Sequence, residues 1–315
     1  MAATGTAPGR RSKRCSKAAR LGDSDLHRRT LMKSLVSLPF AGAVATPTNL
    51  LAYQNCGAVY SDDVWRGLQA AFSVPVGPQD REGQIYAIVA PWCPFCARMK
   101  EDTLAGRIPA SVRLIPSEPR DSFDRGRIAY FLEAGADGLD EFFDRSSAAP
   151  STSMSDAAKE LLLQTQQATQ WNMRRVFEVS GARPGFPMWS AYSEESAWTN
   201  GEMVFCFGGW IDDPAAKISE NLNIVPSAHP ADSGNWRVLE EISRTWRPFN
   251  KMVYANSDDV VMRVFPTESS LPSYCYKANT GFVHPGIVTA QGEDWIVMDA
   301  GGSPAYTRLS DVWME

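Results

Sequence analysis

The residues in this chain best placed for covalent chemistry are Cys93 and Cys96, separated by Pro94 and Phe95. Two cysteines three positions apart on a helix lie on one face and can close a disulfide with little backbone movement. Proline suits the first helical position, where its missing N–H costs nothing and its fixed φ is already helical. Cys93 is then the expected N-cap, facing the unsatisfied N–H groups and the positive end of the helix dipole, both of which favour a thiolate. The chemistry this predicts is thiol–disulfide exchange, with Cys93 as nucleophile and Cys96, one turn deeper, as the resolving thiol.

Two other uses of the pair compete with that one. A C-x-x-C pair is half of a zinc knuckle, but such a site needs a second pair of Cys or His at short spacing. The other cysteines (Cys15, Cys56, Cys206, Cys275) are isolated, and His229 and His284 each adjoin a proline in turn-rich sequence. No metal is expected, and no dissociable cofactor is implied, since electrons pass between cysteines. Alternatively the pair is a fixed bridge in an envelope binding or scaffold protein whose C-terminal region carries the function. Reducibility separates the two, because a structural disulfide resists mild reductant. Connectivity of Cys56, Cys206 and Cys275 cannot be read from spacing, with Cys206–Cys275 the favoured pairing.

Something must hold the pair in place, and the flanking sequence supplies it. The run from Gln84 to Ala90 is near-continuously apolar, of strand length, and bounded by Gly83 and Pro91, so it reads as a strand buried on both faces. A helix follows to about Leu104, then a second strand over Ser111–Pro116. Residues 61–72 show one apolar face of a lead-in helix (Val64, Leu68, Phe72). A helical insertion spans about 121–180. Strands follow after Pro187 and over Glu202–Gly208, and a short helix runs from Pro214 to about Leu222. This order is an α/β arrangement.

The run Ile88-Val89-Ala90-Pro91-Trp92-Cys93-Pro94-Phe95-Cys96, followed by a helix, resembles the thioredoxin superfamily, and within it the bacterial Dsb-type disulfide oxidoreductases and isomerases. The resemblance covers roughly residues 80–225. It implies a thioredoxin-like catalytic domain, protein substrates with cysteines, and a membrane or envelope redox partner. It also implies a cis-proline loop opposite the motif, just before a strand. Pro187 suits that role better than Pro184, which would put a further proline inside the strand. Phe186 stands where Thr or Val is familiar in the family. By resemblance, Phe186, Pro187 and Trp92 bind extended substrate segments beside Cys93, and the spacers Pro94 and Phe95 lean toward an oxidant or isomerase rather than a reductase.

The N-terminal 45 residues carry nine Lys or Arg against two Asp, leaving residues 46–315 with 22 basic and 34 acidic residues. That acidic body argues against nucleic acid as a partner. The basic stretch runs into a short apolar segment and Ala43-x-Ala45, the order of a signal peptide. Arg28-Arg29-Thr30-Leu31-Met32-Lys33 resembles the twin-arginine export motif. The expectation is a signal peptide with a basic extension over 1–45, a lead-in to 80, the thioredoxin-like domain over 81–225, a linker and helix over 226–250, and a small β domain over 251–315. The protein is then periplasmic or otherwise exported. The last segment resembles, loosely, bacterial Src-homology-like barrels, which implies either a cell-envelope ligand for it or a β appendage that only packs on the catalytic domain.

Overall fold

The structure is a computed structural model that describes residues 61–179, 183–192, 204–209, 235–249, 251–283, 286–299 and 304–314, with Asp213, Ala216 and Ile218 between them. The export motif, the helix expected after Pro214 apart from Ala216 and Ile218, and the side chain of Cys206 lie outside the described residues. Strand β2, Gln84–Val89, is buried along its whole length. A strand with no polar face must be covered on both sides, and alternation of its side chains divides the cover between two layers. Ile85, Ala87 and Val89 join a cluster with Met99 of helix α2 (Pro94–Leu104) and Ile128 and Phe131 of helix α3 (Ser122–Ala134). Tyr86 and Ile88 join Val64, Trp65 and Leu68 of helix α1 (Ser61–Ala70) and Ala168, Met173 and Phe177 of the long helix α5 (Asp156–Val179).

The sheet is five-stranded, in the order β1-β3-β2-β4-β5, where β1 is Val74–Val76, β3 is Ser111–Pro116, β4 is Met188–Tyr192 and β5 is Val204–Gly208. Strand β2 runs parallel to β3 and antiparallel to β4. Pro75 is tolerated in β1 because that strand sits at the sheet edge and pairs with β3 alone. Between α3 and α5 lie a 3-10 turn and the short helix α4 (Leu139–Phe143). Arg127, almost fully buried on α3, donates from Nε to the carbonyl of Asp144 at 2.8 Å and from Nη2 to that of Ser147, pinning the chain that leaves α4.

Helix α6 (Val238–Thr245) buries Leu239 and Ile242 and leads into a β-rich C-terminal part. Glu240 on α6 accepts from the backbone N–H and hydroxyl of Ser155 at 2.8 and 2.9 Å, just before α5 begins. The remaining strands are β6 (Arg247–Pro248), β7 (Met252–Ala255), β8 (Val260–Arg263), β9 (Pro272–Tyr276), β10 (Gly281–Val283), β11 (Gly286–Ala290), β12 (Glu293–Asp299), β13 (Pro304–Arg308) and β14 (Val312–Met314). Among the described residues these strands form a six-stranded sheet, β6-β11-β12-β13-β8-β9, and a three-stranded one, β10-β7-β14, and no closed barrel. The β11–β12 hairpin turns at Gln291 and Gly292, both at positive φ, which matches the twist of the paired strands.

All of these elements belong to one compact unit. The cluster that covers β2 continues into the β-rich part through Phe265, Val288, Trp295 and Tyr306. Phe72 meets Phe265 edge to face at 4.9 Å. At Gly67 a Cβ would lie 2.4 Å from Cδ2 of Leu271, so helix α1 lies hard against that part only because the residue is glycine.

Candidate redox site

The site is built where β2 ends and α2 begins. Cys93 holds extended backbone angles (φ −91°, ψ 115°) as the N-cap of α2, with Pro94 next to it in the first turn. The Cys93 N–H donates to Ala90 at 3.1 Å, and its carbonyl accepts from Cys96 and Ala97 at 3.1 and 3.2 Å. Both cysteines are free thiols. Cys93 keeps 5% of its surface, Cys96 none, and Phe95 between them is 45% exposed.

The two thiols are displaced in opposite directions. Cys93 is lowered to about 6, chiefly because the Cys96 thiol donates to it, with the backbone N–H groups of Cys96 and Phe95 adding to the effect against the cost of burial. Cys96 is pushed far up, first by burial, then by its hydrogen bond to Cys93 and that residue's negative charge. One sulfur is a slightly exposed thiol lowered toward the neutral range, and the other is a deep proton donor to it.

The loop before β4 closes over Cys93. The Phe186–Pro187 peptide is cis, and the Phe186 carbonyl lies 3.7 Å from Cys93 Sγ, accepting from the thiol when it is protonated. Two hydrogen bonds from the Gly209 N–H, to the carbonyls of Gly185 and Pro187 at 2.8 and 3.0 Å, tie the loop to the end of β5. A Cβ at Gly208 would sit 2.3 Å from the Arg183 carbonyl and 2.7 Å from the Gly185 nitrogen, so the close approach requires glycine there. Half-buried Trp92 meets the Phe186 ring edge to face at 5.4 Å and 90°.

The sequence-predicted residues Trp92, Cys93, Pro94, Phe95, Cys96, Phe186 and Pro187 therefore converge at one place, while Arg28 and Arg29 lie outside the described residues. Sequence reading missed Arg120, whose guanidinium lies 5.1 Å over the Trp92 ring. Glu118-Pro119-Arg120-Asp121 has no periodicity that would have marked it. Among the described residues no three of His, Cys, Asp or Glu are grouped to hold a metal ion. Cys275 is disulfide-bonded, and its partner lies outside the described side chains.

The chain matches no family model, and no curated protein matches it. Among solved structures, Proteus mirabilis ScsC in a compact conformation is similar over 54% of this chain and 83% of its own length, at 12% identity and a TM-score of 0.32. That likeness is too slight to carry weight in assigning a function. The weight rests on the geometry around Cys93.

Proposed function

We propose that this protein is an exported thiol–disulfide oxidoreductase of thioredoxin-like fold that exchanges disulfides with protein clients, acting as an oxidant or isomerase rather than a reductase. The observation that carries the reading is the opposite displacement of two thiols at one helix N-terminus: Cys93 near 6 and slightly exposed, Cys96 raised and fully buried.

In the reducing direction, the Cys93 thiolate attacks one sulfur of a client disulfide. An S–S bond forms between Cys93 and the client, the client's own S–S bond breaks, and its second sulfur leaves as a thiolate. Forming that mixed disulfide removes both the negative charge and the hydrogen-bond acceptor that helped keep Cys96 protonated, leaving burial as the main opposing cause. Cys96 then attacks Cys93 Sγ, its proton passing to the departing client sulfur, which leaves as a thiol. The protein ends oxidised and the client reduced. The reverse sequence donates the disulfide. The cis loop offers the Phe186 carbonyl, 3.7 Å from Cys93 Sγ, to the N–H of an extended client segment.

The thiolate supports the direction proposed. A Cys93 thiolate held below the ordinary thiol range stabilises the reduced protein against its disulfide, which moves the pair toward an oxidant. Export rests on the signal-like N-terminal sequence and is supported by the disulfide at Cys275, since such bonds persist in oxidising compartments. No helix among the described residues is long and apolar enough to cross a membrane. The twin-arginine-like pair Arg28 and Arg29, a membrane or envelope redox partner and a cell-envelope ligand for the β-rich part belong to the same proposal.

The test is the reduction potential of the Cys93–Cys96 pair in the purified protein, equilibrated against glutathione, with Cys93→Ser as control. The expected value lies toward the oxidising end of the range of about −120 to −270 mV spanned by such proteins. A value at the reducing end would make it an exported reductase. A pair that never exchanges would end the enzyme reading and leave a structural bridge.

A further inference from the structure

One charged group at this site has no part in the exchange steps. The loop after β3 is fixed at both ends: the Ser117 N–H donates to Val89 at 2.7 Å, beside the end of β2, and the Arg120 N–H donates to Asp124 Oδ2 at 3.0 Å. The Arg120 side chain is exposed, with its guanidinium 5.1 Å over Trp92. The neighbouring carboxylates are engaged elsewhere. Asp121 and Asp124 face Arg145 at 3.1 and 3.6 Å, and Glu118 accepts from Gln170 at 3.1 Å. Among the described residues none ion-pairs with Arg120.

The guanidinium is thus a held, open fork at one end of a continuous strip. From Cys93 Sγ the strip passes to the Phe186 carbonyl at 3.7 Å, from the Phe186 ring to Trp92 at 5.4 Å, and from Trp92 to Arg120 at 5.1 Å. An extended chain advances about 3.3 Å per residue, so a client joined to Cys93 and lying along the strip brings a side chain two to four residues from its cysteine up to Arg120. Stacking on the indole restricts the rotamers of Arg120 beforehand, which lowers the entropy cost of pairing with a carboxylate.

We propose that Arg120 is a specificity-determining residue that selects peptide and protein disulfides carrying Asp or Glu two to four residues from the reacting cysteine. This rests on the thiol–disulfide exchange reading above. Residues 46–315 carry 12 more acidic than basic residues, so the body as a whole repels acidic chains, and an acidic preference must come from a local cation.

The experiment measures the second-order rate of exchange between the reduced protein and three peptide disulfides identical except for Glu, Gln or Lys three residues from the cysteine. The wild type should favour Glu over Gln by about threefold to fivefold, the scale of an exposed ion pair, and favour Glu over Lys by more. Arg120→Gln should bring the Glu-to-Gln ratio to one or below, and about 1 M salt should shrink the wild-type ratio. Equal rates for all three peptides in the wild type, or an unchanged ratio in Arg120→Gln, overturns the assignment while leaving the exchange activity standing. If no peptide exchanges at all, the oxidoreductase reading itself fails and takes this one with it.

Discussion

At the scale of single residues, the site runs on the contrast between two cysteines of the same intrinsic acidity. The hydrogen bond from the Cys96 thiol explains most of the lowering at Cys93, and the backbone N–H groups of Cys96 and Phe95 at the helix N-terminus add to it. Depth explains Cys96 first, because burial penalises the charged form of its thiol. Alkylation of the reduced protein by iodoacetamide should therefore titrate with a midpoint near pH 6, in the wild type and in a variant lacking only Cys275 and its bond. A midpoint near 9 would remove the basis of the mechanism. The same shift sets a pH dependence of stability. The folded-state value of Cys93 lies below its unfolded one, so its contribution to the stability of the reduced protein grows as pH rises from about 6 to about 9 and is lost as pH falls through 6, while Cys96, raised by burial, costs stability once pH passes about 9. The span is on the order of 4 kcal/mol. The oxidised protein has no titrating thiol at this place and should lack that slope, so urea midpoints of the two forms at pH 5.5 and 8.5 separate the effect from every other titration.

At the scale of elements, the loop over residues 183–187 and the end of β5 form a single device. Gly208→Ala places a Cβ against backbone atoms of Arg183 and Gly185, and neither can retreat like the tip of a flexible side chain. The expected result is a displaced Phe186 and a fall in client exchange of tenfold or more by order of magnitude, with the Cys93 midpoint moving less than one unit, because the groups that lower it lie on α2. Exchange kinetics beside the alkylation profile check this. If exchange is unchanged, the loop is not where clients lie. The motif, β2 and the start of α2 were legible in the sequence because each announces itself locally: an apolar run of strand length, then a proline fit only for a first turn. Helix α6 was legible too, as the helix expected within 226–250. Strands β1, β9, β10 and β14 were not. Two of them contain prolines that argue against a strand unless the strand lies at an edge, as β1 does, or begins with the proline, as β9 does. The others are three residues long, too short for a period to show. Arg120 was invisible for a different reason, since its neighbour Trp92 is 28 positions away and only the fold brings them together.

At the scale of the whole molecule, the sequence suggests a catalytic part followed by a separate β appendage, because turn-rich composition around residue 230 marks a change of character. The packing has another logic. A strand buried on both faces needs two complete covering layers, and the cluster that holds Ile85, Ala87 and Val89 continues without a break into the C-terminal part, where Phe265, Trp295 and Tyr306 belong to it. Phe72 against Phe265, Leu271 against Gly67, and Glu240 on Ser155 are three contacts of different chemistry across the same boundary. Removing the β-rich part would strip apolar cover from the layer that contains Cys96 and Met99, at roughly 25 cal/mol for each Å² exposed. Two bodies so joined should unfold together. Calorimetry of the reduced protein is expected to show one transition, with calorimetric and van't Hoff enthalpies in agreement, and a chain ending at residue 234 should be insoluble or lack the depressed Cys93 midpoint. Two resolved transitions, or a truncated chain that keeps that midpoint, would mean that the C-terminal sheets lie against the redox unit without supporting it.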